Sequence, residues 1–335
     1  MHRREANVDL LHRIAYSADN IHSARDVVSL ARSCKSIHAA LLGTPWARTK
    51  AHAHAGIRTC LSLKLWAGAT RLVARAAAAG APPIVSGMDV KIAFGAPRCA
   101  EWRAFVLALG RAGVSSPYLG LPSWLGELLR IVYSDVRGFL FPLPIAVWAA
   151  VRGEAAIAAE LAPGVTGHDA DALLIAAAYV GDRALVATVT LSCSGLDVER
   201  ASSLALVAAA GVGALDLVDE LLTNAHVDPT VNNQAAVIAA ARHGHPDVLT
   251  RLLADMRVDP SARDSEALFI AAAYNKIDAV ALLVADGRAN PCTRNCAVIR
   301  KAAVDGRTAV VQLLLDSGRI PPDVAAELSG AAGNE

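Results

Sequence analysis

A 31-residue period governs the second half of this chain. Asp197, Asp228, Asp259 and Asn290 recur at that interval, as do Pro229, Pro260, Pro291 and Pro322. Gly213, Gly244 and, two steps on, Gly306 keep it too. In register, the units read HVDPTVNNQAAVIAAARHGHPDVLTRLLADM (226–256), RVDPSARDSEALFIAAAYNKIDAVALLVADG (257–287) and RANPCTRNCAVIRKAAVDGRTAVVQLLLDSG (288–318). A fixed period in this range marks stacked supersecondary units, because one unit alone cannot bury its apolar face. The octapeptides ALLIAAAY (172–179) and ALFIAAAY (267–274) are two copies of one element of the stack.

Each unit predicts two antiparallel helices. AAVIAAAR supplies strong helix formers whose small side chains let neighbouring units approach closely. Gly244 is free to turn left-handed and end that helix. Pro246 opens the next at a position that tolerates proline, and Val248, Leu249, Leu252 and Leu253 recur at helical spacing. The D-P-[ST] head lacks the apolar pattern and reads as a projecting turn.

These units resemble the ankyrin repeat, in a short form with D-P-S-x-x-x-x-x-A-[LV] at its head. The alanine pairs 240/241, 271/272 and 302/303 match the family's A-A. Gly244 and Gly306 match its G, and Leu252/Leu253 and Leu314/Leu315 its L-L. Ala235-Ala236-Val237-Ile238 stands where the family has T-P-L-H. Upstream, 203–222 is a further good copy and 171–189 one with its register uncertain by a residue. Segments 147–164 and 63–83 read as eroded copies that keep Gly153 and Gly68. Within 96–140, Trp102, Phe105 and Val106 fall on one helix and WLGELLRIVY on another. The expected array runs from 55 to 325, regular from about 166, with a flexible tail at 326–335. All five tryptophans lie before residue 150, so early units use bulk where late ones use alanine.

Ahead of the array, VDLLHRIAYSADNIHSARDVVSLARSCKSIHAALLGTPWARTKAH has the apolar spacing of a small three-helix unit. Its L-L-x-x-I start, D-V-V-x-L-A-x-x-C-K centre (26–35) and T-P-W close (44–46) resemble an F-box, although Asn7-Val8 replaces that family's opening Leu-Pro. The resemblance implies that Leu10, Leu11, Ile14, Val27 and Leu30 dock the adaptor subunit of a cullin-type ubiquitin ligase. The alternative for residues 1–50 is a helical cap over the first repeat. The expected fold class is therefore all-α: an α-solenoid of ankyrin-type helix pairs preceded by a three-helix F-box-like unit.

Composition narrows the function classes. Hydrophobic residues make up 54% of the chain, but Pro, Gly or charge interrupts each apolar run before it could span a bilayer. Charge breaks the apolar centre a secretory leader would need. Cysteines 34, 60, 99, 193, 292 and 296 have no framework spacing, which suits reduced thiols and a cytoplasmic or nuclear location. Residues 1–75 carry 12 Lys/Arg against 4 Asp/Glu. That basic segment allows nucleic-acid association, yet no aromatic interleaving or groove-reading motif supports it.

No nucleotide, zinc-protease or nucleophile-elbow motif is present, so an enzyme is not expected. No cofactor or metal is expected either. His52/His54 and His243/His245 lack a third ligand, and His245 falls in the ankyrin G-H slot. Cys292 and Cys296 align with Ser261 and Ser265, which makes them small head residues. Arg251 and Asp255 read as solvated charge.

The resemblance places a protein ligand on a concave face of head tips and first-helix ends. The tips are Asn232, Asn233, Arg263, Asp264, Arg294 and Asn295. Beside them stand Arg242, His243, Tyr274, Asn275, Val304 and Asp305, a mix suited to protein recognition.

Overall fold

The computed structural model describes residues 66–78, 100–117, 122–133 and 142–331, and the F-box-like segment with its five adaptor residues lies outside them. The chain divides into two compact units, one of Met1–Pro122, Tyr133–Asp169 and Ser192–Ser194, the other of Ser123–Val132, Ala170–Leu191 and Gly195–Glu335.

In the first unit, α1 (Trp66–Ala78) packs on α2 (Ala100–Arg111). Trp66, Ala69, Val73 and Ala76 form the buried stripe of α1, and Trp66 meets Phe105 with ring centroids 5.7 Å apart. Gly68 does not stop α1: of the segment read as an eroded copy, the described residues 66–78 form one continuous helix. Two short strands, β1 (Ser115–Pro117) and β2 (Pro142–Pro144), pair antiparallel with Ser116 opposite Leu143. This is a small departure from an all-α fold, and it falls where prolines bar a helix interior. The pair α4 (Ile145–Val151) and α5 (Ala155–Leu161) follows. A Cβ added at Gly110 would lie 2.5 Å from the Leu161 side chain, so the glycine lets α2 and α5 approach. Arg103 and Arg111 both donate to Glu160, at 2.8 and 2.6 Å.

The second unit contains α3 (Ser123–Val132) and a stack of helix pairs: α6 (His168–Val180) with α7 (Arg183–Ser192), α8 (Val198–Val212) with α9 (Leu215–Thr223), α10 (Val231–His243) with α11 (Pro246–Leu253), α12 (Ala262–Ala273) with α13 (Ile277–Asp286), and α14 (Thr293–Val304) with α15 (Thr308–Asp316). A last helix, α16 (Pro322–Ala331), runs into the residues expected as a tail. First helices α8, α10, α12 and α14 pack in chain order, and second helices α9, α11, α13 and α15 form a parallel layer. Ala236, Ala240, Ala241, Ala271, Ala272 and Ala302 are buried in the first layer. Methyl groups in that seam allow close helix approach. Val248, Leu249 and Leu252, with Val280, Leu283, Val310 and Leu314, bury the second layer's apolar stripe.

The head motif has a direct physical role. Asp228 Oδ1 accepts both the Thr230 N–H (2.8 Å) and its hydroxyl (2.7 Å), and Asp259 holds Ser261 the same way at 2.9 and 2.6 Å. Pro229, Pro260 and Pro291 are buried beneath these turns while the acidic residues stay exposed. Asn275, at φ 55°, replaces the glycine that ends α10, where Gly244 has φ 76°. Asparagine tolerates that left-handed conformation better than most residues.

Three sets of bonds tie unit to unit. Asp171 Oδ1 accepts the Asp197 N–H at 3.0 Å, Ser203 Oγ the Asp228 N–H at 2.8 Å, and Ser265 Oγ the Asn290 N–H at 2.8 Å. Arg257 and Arg288 reach back to the Val227 and Val258 carbonyls at 2.9 and 2.8 Å. They also pair with Asp255 and Asp286, holding both carboxyls below the usual carboxylate range. His245 Nε2–H donates to the Gly211 carbonyl at 3.0 Å, a structural role. Arg251 pairs with Asp219 on the neighbouring second helix. Arg251 and Asp255 thus each hold a partner and are not merely solvated charge: the stack brings Arg251 beside Asp219 about one period away, and Asp255 binds Arg257 two residues on.

Candidate ligand-binding face

The tips owe their position to a backbone feature that composition did not reveal. Asn232–Gln234, Arg263–Ser265 and Arg294–Cys296 each form a left-handed turn, with φ between 51° and 68°. L-residues adopt that conformation at a cost of about 1–2 kcal/mol each, least for Asn and Asp. The turn points the third residue inward, so Gln234, Ser265 and Cys296 are buried. It leaves Asn232, Asn233, Arg263, Asp264, Arg294 and Asn295 exposed. The same turn brings the Cys296 side chain next to that of Cys292.

Adjacent tips touch. Arg294 pairs with Asp264 at 3.1 Å and Thr293 donates to the Asp264 carbonyl at 2.7 Å; within its own unit, Arg263 pairs with Glu266 at 2.8 Å. At the other end of the first helices, the Arg242 guanidinium lies 5.6 Å from the Tyr274 ring centroid. Tyr274 is 53% and Val304 84% exposed, and Asn275 is exposed with them. Asp305 is held between Lys301 and Arg307, both at 2.8 Å. The twelve residues therefore occupy two sites on each of the helices α10, α12 and α14: six at the heads and six at the helix ends.

His243 differs from the other eleven. Trp124 of α3 lies against it, ring centroids 5.1 Å apart, and against Tyr179 at 5.5 Å. Burial first, then the positive charge of His245, Arg242 and Lys276, holds the His243 pKa below its ordinary value. Its Nε2 is buried with no hydrogen-bond partner among the described residues. A Cβ at Gly211 would lie 2.9 Å from the Trp124 ring, so glycine is what admits the indole. The other units carry Tyr179, Arg242, Ala273 and Val304 at the equivalent place. That missing side chain was the available signal for an occupant over α8.

Helix pairs joined at left-handed caps, headed by Asp-Pro turns and stacked in two layers, define an α-solenoid of the ankyrin type. Residues 237–325 match the family model for ankyrin repeats, in three copies; the chain contains an ankyrin-repeat domain there. No curated protein matches the chain. Ankyrin-repeat proteins are typically non-catalytic scaffolds. Among the described residues no group of three or more His, Cys, Asp or Glu side chains is placed to hold a metal ion. Among them, too, no helix is long and apolar enough to cross a membrane.

Proposed function

We propose that this protein is a non-enzymatic interaction scaffold of the cytoplasm or nucleus that binds a protein ligand on the first-helix face and head tips of 231–305. One observation carries this reading. The alanines 240, 271 and 302 and the leucines 252, 283 and 314 repeat unchanged in the interior of the stack, whereas the exposed tips vary among Asn, Arg and Asp on one backbone geometry repeated in three units. A scaffold held constant beneath varied exposed groups suits recognition of an irregular protein surface.

Proximity labelling in the native cell tests it, comparing the full chain with an Arg263→Glu/Arg294→Glu variant. The tip variant is expected to lose a distinct subset of labelled proteins while keeping its melting temperature. An unchanged set overturns the reading.

The F-box resemblance at residues 1–50 favours a more specific role, delivery of that ligand to a cullin-type ubiquitin ligase. In this reading Leu10, Leu11, Ile14, Val27 and Leu30 contact the adaptor. Deleting residues 1–50 then abolishes adaptor recovery in a pull-down, and unchanged recovery, or none from the full chain, removes the ligase role.

A further inference from the structure

A notch of about 210 Å³ opens between α3 and the first helices α8, α10 and α12. Val207, Ala235 and Ile238 line its floor, and Trp124, Leu128 and Ile131 its wall. Drug-sized ligands occupy roughly 300–1,000 Å³, so the space suits one large side chain and not a cofactor.

The rim is charged. Of its two arginines, Arg263 is paired with Glu266, whereas Arg242 makes no ion pair among the described residues and rests on Tyr274. Lys276 lies close enough for its charge to act on His243, as does Arg242. Glu127, on the α3 side, is the one rim carboxylate not held by Arg263. The α10 side is therefore cationic: Arg242 of α10 stands on the rim, and Lys276 just beyond it packs against Gly244. His243 also lines the notch, and its buried Nε2 has no hydrogen-bond partner among the described residues.

We propose that the notch receives one large apolar side chain of the protein ligand, from a segment whose flanking residues are acidic and meet Arg242 and Lys276. This rests on the interaction-scaffold reading above and specifies the chemistry of the ligand. The α3 helix supplies the wall and, through Trp124 on Gly211, the depth that a bare first-helix face lacks.

Fluorescence anisotropy of the full chain tests this with fluorescein-labelled nonapeptides. Their centre is Leu, Phe or Ser, and their flanks are Asp/Glu or Lys/Arg. Acid-flanked Leu or Phe peptides are expected to bind, and replacing the centre by Ser to weaken binding at least about tenfold. Ala235→Phe, which fills the notch, is expected to do the same. Arg242→Glu, a surface change that keeps the fold, is expected to weaken the acid-flanked peptides and favour the basic ones. Equal affinity for Ser centres, preference for basic flanks in the unaltered chain, or no binding by any acid-flanked apolar peptide overturns the inference. If the tip variant changes the proximity-labelled set while Ala235→Phe and Arg242→Glu leave it intact, the inference falls and the scaffold reading stands. If the tip variant leaves the set unchanged, the scaffold reading has failed.

Discussion

The two units of this chain fill their interiors by different means. In the first, large side chains do the packing: Trp66 and Phe105 meet ring to ring, and Leu109, Leu143, Ile145 and Ile157 are fully buried. In the second, the seam between first helices is alanine, with polar bonds recurring about once per period between neighbouring heads. A methyl group buries little area, and each buried CH₂ is worth about 0.8 kcal/mol. Its advantage is geometric, because identical small faces stack repeatedly without individual fitting. The hydrogen bonds and arginine clamps then supply the register that smooth alanine faces cannot specify.

The contrast breaks most sharply at Phe105. Its ring is fully buried beside Trp66, so Phe105→Ala should lower stability by about 3–5 kcal/mol, measured as the loss of the first unit's transition in urea. A small effect there would mean that the aromatic packing is not what holds that unit.

The polar bonds of the second unit give the next largest effect. Ser265→Ala strips the Asn290 N–H of its acceptor and should cost about 1–3 kcal/mol. Gln234 is Ser265's equivalent one period back, yet its buried Oε1 has no partner among the described residues. Gln234→Ser should restore the bond to the Asp259 N–H and add about 0.5–1.5 kcal/mol. Opposite signs in these two substitutions would establish the hydroxyl as the register element, and equal signs would refute that.

What could be read beforehand follows the same division. The helix pairs, the alanine seam and the Asp-Pro turns were legible because each repeats, so three copies vouch for one pattern. Phe105 and WLGELLRIV announced buried helices, but a single amphipathic helix does not declare what it packs against. The place of α3 on Gly211 therefore went unread. Gly68 misled as a turn because a glycine inside a helix costs only about 1 kcal/mol, and the stripe Trp66, Ala69, Val73 and Ala76 overrides it. The left-handed turns were hidden because Arg263 and Arg294 carry no local preference for them. The twelve proposed contact residues were placed by the repeat register, and only the covering of His243 required coordinates.

The smallest expected effect concerns that histidine, where an aromatic side chain intrudes on the alanine-built face. Burial under Trp124 and the charges of His245, Arg242 and Lys276 lower its pKa in the folded chain. The unfolded chain keeps a value of about 6.5. As pH falls below that value the unfolded state binds the proton first, so stability is full above it and declines until the folded pKa is passed. Melting temperatures at pH 7.5 and 5.5 should therefore differ more in the unaltered chain than in His243→Gln, which cannot titrate. If the two slopes coincide, the imidazole is not held neutral by its surroundings, and Trp124 does not seal that end of the face as the packing implies.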